Sequence, residues 1–200
     1  MKKLYVVGNK ASKSLSPTIF NYWFKKYNIQ ASYGYLELTE KNFHKKIKEV
    51  LEKKNTLGLN VTIPFKNKII KHLGKIDTHA KKIGAVNCVT NKKTTNGTNT
   101  DWTGYYKTLP NIKQTKNRKV IILGYGGASH AIHYVLKKRG FKDILIFNRS
   151  KKKIKYSKNT EYTKKYSDLE THLEGVFLII NTTPINPCLL YTSPSPRDRH

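Results

Sequence analysis

Only two cysteines, Cys88 and Cys188, occur in 200 residues. Neither belongs to a C-x-x-C pair, and so sparse a set supports neither a disulfide framework nor a zinc cluster. A reduced, cytoplasmic setting is the expectation. Long hydrophobic runs are also missing. Nothing approaches the roughly 18 to 20 uninterrupted apolar residues of a membrane span, and residues 1–7 lead straight into an apolar strand, not the longer greasy segment of a signal peptide. No membrane partner is expected. Acid is the scarcest charge: 12 Asp and Glu stand against 39 Lys and Arg, for a net charge of +27.

That charge raises nucleic acid as a partner, but its make-up points elsewhere. Of the basic residues 34 are lysine, spread over almost every segment up to Lys165. A nucleic-acid site favours arginine, whose planar fork grips phosphates and base edges, and gathers its charge on one face. The lysines read as compositional bias, with weak, salt-sensitive sticking to polyanions and no specific nucleic-acid partner.

Short β-type runs alternate with helical periodicity throughout, which predicts an α/β chain with a mostly parallel sheet. Strands are expected at 4–7, 33–38, 57–63, 85–90, 120–123, 144–147 and 176–180. Ser16 reads as the cap of a helix with Pro17 in its first turn and Ile19, Phe20, Trp23, Phe24 and Tyr27 on one face. Thr39 reads as the cap of a helix burying Phe43, Ile47, Val50 and Leu51. A short helix is expected to open at Pro64 and Phe65, with Ile69, Ile70 and Leu73 inward. Residues 91–100 read as turns and 110–119 as a polar linker. A helix after Asp101 carries Trp102, Tyr105, Tyr106 and Leu109, and another carries Ala131, Ile132, Val135 and Leu136. From about residue 187 onward lysine disappears while prolines and arginines cluster. This tail reads as translated vector or adapter sequence and is set aside.

Gly124-Tyr125-Gly126-Gly127-Ala128-Ser129 sits directly between a strand and a helix, where a G-x-G turn lets backbone amides approach a pyrophosphate at the helix N-terminus. Its third small position is Ser129, where glycine or alanine is commoner. About 20 residues beyond the first glycine an NAD-preferring site places an acid for the ribose hydroxyls. This chain has Asn148-Arg149-Ser150 there, followed by Lys151, Lys152 and Lys153. Cations in place of the acid would attract a 2′-phosphate, so NADP is the expected cofactor.

In Leu59-Asn60-Val61-Thr62-Ile63-Pro64-Phe65-Lys66, a strand end puts Asn60 and Thr62 on one face and Lys66 in the first turn of the expected helix. The positive helix pole disfavours an ammonium there, so such a lysine is either exposed or paired with a carboxylate. Ser14-Leu15-Ser16-Pro17 offers two hydroxyls suited to a carboxylate or polyol. Gly97-Thr98-Asn99-Thr100-Asp101 places a single acid at the junction of the two halves, where ligands tend to sit. His130 and His133 lie three apart, but no acid or cysteine completes a set, so no metal site is expected.

Gly8-Asn9 with Ser14-x-Ser16-Pro17, Asn60-Val61-Thr62-x-Pro64-Phe65-Lys66, Gly84-Ala85-Val86-Asn87, Asn99-Thr100-Asp101, Gly124-x-Gly126-Gly127-Ala128-Ser129, Asn148-Arg149-Ser150 and Asn181-Thr182-Thr183 occur in one order. In that order and spacing, from about residue 4 to 186, the chain resembles shikimate dehydrogenase. The resemblance implies the reversible NADPH-dependent reduction of 3-dehydroshikimate to shikimate, in the pathway through chorismate to aromatic amino acids. It implies a substrate-binding and catalytic domain at 1–101 and a truncated Rossmann-type NADP-binding domain at 102–186, and the change in composition sets 187–200 apart as a non-native tail. Lys66 and Asp101 would form the catalytic pair. Ser14 and Ser16 would hold the substrate carboxylate, with Asn60, Thr62, Asn87 and Asp101 completing the substrate set. The cofactor set would be Gly124, Gly126, Gly127, Ala128, Ser129, Asn148, Arg149, Ser150, Lys153 and Thr182.

The chain departs from the family in two respects. Trp102 follows Asp101 where glycine is common, which implies an altered pocket floor. The family also continues beyond Asn181-Thr182-Thr183 with segments that contact the nicotinamide and a glutamine-bearing helix that returns to the substrate. Their absence implies a truncated chain, an incomplete Rossmann half and uncovered apolar surface. The alternatives are a nucleotide-binding relic without activity, a dehydrogenase acting on quinate as well, and a basic nucleic-acid binder. Oligomeric state stays open, with a homodimer among the choices.

Overall fold

The computed structural model describes residues 1–112, 115–154 and 161–184. The first half alternates strands and helices: β1 (Lys2–Gly8), α1 (Ser16–Lys26), β2 (Ala31–Glu37), α2 (Phe43–Leu51), β3 (Thr56–Val61), β4 (Lys75–Ile76), α3 (Thr78–Ile83), β5 (Cys88–Asn91) and β6 (Thr95–Thr98). The sheet runs β2-β1-β3-β5-β6-β4. β1 pairs in parallel with both β2 and β3, β5 is antiparallel to β3 and β6, and β4 returns parallel to β6. The second half holds α4 (Asp101–Thr108), β7 (Lys119–Leu123), α5 (Gly127–Lys138), β8 (Ile144–Phe147) and β9 (Val176–Asn181), with an all-parallel sheet in the order β8-β7-β9. The fold is α/β. Among the described residues no helix is long and apolar enough to cross a membrane.

Two cores hold these halves. Phe43, Ile47 and Val50, spaced four and three apart, bring one face of α2 onto Val7, Leu59, Val61 and Phe65 of the first core. Phe43 and Phe65 stack with centroids 4.2 Å apart, and burying each ring contributes about 1.5–3 kcal/mol. Thr39 does not cap this helix, whose N-cap position is Asn42 with no side-chain cap hydrogen bond, but it closes the turn that leads into it. Its Oγ1 accepts from the Asn42 N–H and Asn42 Oδ1 accepts from the Thr39 N–H, a reciprocal pair across the turn that precedes Phe43. In the second half Val120, Ile121 and Ile122 are wholly buried, as expected of a central parallel strand. Val135 and Leu136 of α5 pack in the same core as Val120 and Ile122.

Several expected elements differ. No helix opens at Pro64. Residues 63–68 form turns, followed by a short 3₁₀ helix, Ile69–His72, because Phe65 turns into the core instead of continuing along a helical face. Residues 91–100 contain β6, which is polar in sequence yet paired on both sides. α3 went unforeseen. Asp77 caps it by accepting from the His79 and Ala80 N–H groups. Ser16 begins α1 without capping it by side chain, and Ser14 Oγ accepts the Ser16 N–H. On α1 only Phe20 and Phe24 pack inward, whereas Ile19, Trp23 and Tyr27 are exposed. The tail from residue 187 lies outside the described residues.

The strand order places the site. β8 and β9 flank β7 on opposite sides, so the chain leaves the carboxyl end of β7 at a topological switch point, where open parallel sheets receive ligands. The same corner meets the first half through α3 and the 84–87 loop, where Ile83 and Ala85 pack on Ala131, Trp102 and Tyr134.

Candidate active site

Lys66 and Asp101, 35 positions apart in sequence, meet at a distance of 2.7 Å between Nζ and Oδ2. Three local features bring them together. Phe65, fully buried, anchors the turn before the lysine. The Lys66 carbonyl accepts the Val86 N–H at 2.7 Å, tying that turn to the 84–87 loop. Asp101 is the first residue of α4, where the helix dipole favours a carboxylate. The dipole expectation therefore applies to the acid and not to the lysine, since no helix begins at Lys66. Both side chains are partly shielded, with 14% and 32% of their surfaces exposed.

Asn87 completes the cluster. Its Nδ2 donates to Asp101 Oδ1 at 2.7 Å and to Thr100 Oγ1 at 2.9 Å, while its Oδ1 accepts the Thr100 N–H at 2.8 Å. Lys66 and Asn87 open onto a cavity of about 500 Å³ that is also lined by Ser14, Ser16, Asn60, Thr62, Lys10 and Lys13. The Ser14 hydroxyl donates to Ser16 Oγ at 3.1 Å. Hydroxyls, amides and three lysines thus line one cavity, and the carboxylate of Asp101 reaches it through its bond to Lys66. A small polyol bearing a carboxylate matches that lining of cations and hydrogen-bonding groups. Trp102 is not part of this lining. Its ring stacks on His79 at 4.4 Å and meets Tyr134 edge-on, at the seam between the halves.

Tyr33 and the lysines Lys10 and Lys13 are features the sequence reading missed. Tyr33 is buried, and its hydroxyl donates to Asn60 Oδ1 at 2.6 Å, which fixes the asparagine amide over the cavity. Burial pushes this hydroxyl up to about 12, so it stays a donor near neutrality. Its only sequence signal was an aromatic residue in a strand. Lys10 and Lys13 flank the Gly8-Asn9 and Ser14 motifs but were lost among the other lysines.

On the other side of the pair lies the glycine turn. Gly124 has φ +95°, and a Cβ there would stand 2.8 Å from Thr182 Oγ1. A Cβ on Gly126 would meet nothing within 4 Å, so the backbone is open to an approaching group. Gly127 starts α5, and its ideal Cβ position lies 3.0 Å from Lys66 Cδ. The lysine methylenes thus lie against the helix N-terminus that follows the turn. This open backbone at the start of a 12-residue helix fits a pyrophosphate. Ala128 is in the first turn of that helix, whereas Ser129 is fully buried and its hydroxyl makes no hydrogen bond among the described residues. Its side chain is enclosed by the protein.

The remaining predicted cofactor residues lie at the ends of β8 and β9. Asn148 Nδ2 donates to the Ser150 carbonyl at 2.8 Å, forming a turn that presents Arg149 and Ser150 to solvent. Lys153 is exposed and bridges to Tyr162. No acid occupies this strand end, so its charge fits a 2′-phosphate. Thr182 Oγ1 donates to the Leu123 carbonyl at 2.7 Å, tying β9 to the glycine turn from behind. No group of three or more metal-ligating side chains occurs among the described residues.

Comparison with known proteins agrees with this geometry. A family model for the shikimate dehydrogenase substrate binding domain matches residues 6–89, and one for shikimate / quinate 5-dehydrogenase matches residues 107–192. A shikimate dehydrogenase (NADP(+)) of Clostridium botulinum is 39% identical over 185 residues, covering 90% of this chain and 70% of that protein. The crystal structure of shikimate dehydrogenase from Thermotoga maritima superposes with a TM-score of 0.79 at 30% identity, over 93% of this chain and 70% of the other. The Thermus thermophilus enzyme, solved with NADP(H) and shikimate, gives 0.62 at 27% identity over 75% of this chain and 57% of its own. With both halves matched, in sequence and in three dimensions, the chain belongs to the shikimate dehydrogenase family.

Proposed function

We propose that this chain interconverts 3-dehydroshikimate and shikimate with NADP(H), in the route to aromatic amino acids. Residues 1–101 would bind substrate and residues 102–186 the cofactor. One observation supports the reading: Lys66, held by Asp101, lines the polar cavity while its methylenes lie against the N-terminus of α5, where the two ligands would meet.

In this reading Ser14 and Ser16 bind the substrate carboxylate. Asn60, Thr62, Asn87 and Asp101 accept and donate to the ring hydroxyls. Reduction of the ketone develops negative charge on its oxygen. The Lys66 ammonium stabilises that charge and delivers a proton from Nζ. Asp101 holds the ammonium in place through its Oδ2. In the reverse direction Nζ takes the hydroxyl proton. The amides around Gly126 and Gly127 would receive the pyrophosphate, with Asn148, Arg149, Ser150 and Lys153 around the 2′-phosphate. When bound, NADPH supplies the hydride. The cytoplasm is the setting this proposal assigns, with no nucleic-acid or membrane partner.

The test is NADP⁺ reduction by the full chain with shikimate, with NAD⁺ and quinate as comparison arms. Turnover fastest with shikimate and NADP⁺ is expected. No reduction above the uncatalysed blank with either alcohol would overturn the proposal.

A further inference from the structure

Asn99 lies between β6 and α4, is 3% exposed, and is not among the residues that line the cavity. Its amide is used at both ends. Oδ1 accepts the Asp101 N–H at 3.0 Å and the Trp102 N–H at 3.4 Å, and Nδ2 donates to the Ala85 carbonyl at 3.0 Å. One end therefore caps the helix that begins with Asp101. The other end grips the loop whose next residues, Val86 and Asn87, hold the Lys66 carbonyl and the Asp101 carboxylate. Movement of either segment away from the other would break the amide's contacts and open the Asp101–Asn87 hydrogen bond.

We propose that Asn99 is a positioning residue. It sets Asp101 against Lys66 and Asn87 by locking the start of α4 to the 84–87 loop. This rests on the functional reading above. It assigns Asn99 no contact with substrate or cofactor. The lock needs both an acceptor and a donor, which separates it from simple capping. Serine in this place keeps a capping oxygen for the helix amides but has no second arm to reach Ala85.

Asn99→Ser and Asn99→Ala test this, with the unmodified full chain in parallel. Expected in Asn99→Ser is a fall in melting temperature smaller than in Asn99→Ala, since only the Ala85 carbonyl loses its partner, with shikimate turnover lowered by about 10²-fold, as a misplaced reacting group entails. NADP⁺ affinity by calorimetry should stay within about twofold, because the glycine turn is untouched. Asn99→Ala should lose both stability and turnover. Full turnover in Asn99→Ser would overturn the inference, as would a parallel loss of NADP⁺ affinity. If the unmodified chain shows no turnover, the functional reading fails, and the inference is then decided by calorimetric shikimate affinity. A drop of tenfold or more in Asn99→Ser supports it, and unchanged affinity refutes it.

Discussion

Replacing Asp101 with asparagine removes one charge and leaves the shape almost intact, so its effect can be worked from two contacts. The carboxylate accepts Lys66 Nζ at Oδ2 and Asn87 Nδ2 at Oδ1, both at 2.7 Å. An amide has one acceptor oxygen, so in either orientation its NH₂ confronts a donor. A hydrogen bond to a charged group contributes about 1.5–3 kcal/mol, and an acid in the first helical turn about 0.3–1 kcal/mol. With the carboxylate 32% exposed, the loss should fall near the lower end, about 2 kcal/mol. In a chain of this length that corresponds to a fall in melting temperature of about 4–8 °C.

Turnover should suffer more than stability in this variant. Lys66 remains but is no longer held, so kcat should drop by about 10²- to 10³-fold, within the range of a positioned acid–base group. Shikimate oxidation followed at NADPH absorbance gives kcat, and calorimetry gives the NADP⁺ dissociation constant, which should not change. A kcat within threefold of the parent, in a variant with the expected loss of melting temperature, would refute the reasoning.

Further outcomes follow from the same geometry. Burial, with help from Lys137 and against Glu161, pushes His133 down to about 4, so the folded chain resists its protonation. The unfolded imidazole takes a proton near 6.5, so stability should fall as pH drops from there to about 4 and level off below, by up to about 3 kcal/mol. Denaturant midpoints across that window should show the slope flattened in His133→Gln, and equal slopes would contradict the assignment. Gly124→Ala should lower both melting temperature and NADP⁺ affinity, because φ is +95° and the new methyl would press on Thr182; calorimetry and thermal melts check both, and an unperturbed variant would refute the close approach. Arg149→Ala should reduce the preference for NADP⁺ over NAD⁺ by about 10- to 100-fold, the worth of a charged hydrogen bond to a phosphate, and an unchanged ratio of kcat/KM values would rule that role out.

The sequence carried the outline of the fold wherever a helical period, an unbroken apolar run or a glycine turn marks the element. The α2 face of Phe43, Ile47 and Val50 repeats at helical spacing, β7 carries an unbroken apolar run, and the glycine turn joins it to α5; all three occur as expected. It misled where a single side chain overrides local pattern. Phe65 leaves the expected helix to stack on Phe43, so Lys66 sits in a turn. α3 buries only Ala80 and Ile83 over six residues, too little for periodicity to show, and β6 is polar because its pairing supplies what its side chains do not. The residues named for the site were legible as motifs. The roles of Tyr33 and Asn99 were not, because each depends on a hydrogen bond to a residue that only folding brings near.

The central claim is that the Lys66 ammonium handles the proton of the reaction while the dinucleotide is held elsewhere, and Lys66→Ala tests it most directly. Turnover of shikimate and the NADP⁺ dissociation constant should be measured on the same preparation. A fall in kcat of about 10²- to 10⁴-fold with NADP⁺ affinity essentially unchanged is the predicted result. Near-normal turnover, or a loss of turnover explained by lost NADP⁺ binding, would contradict it.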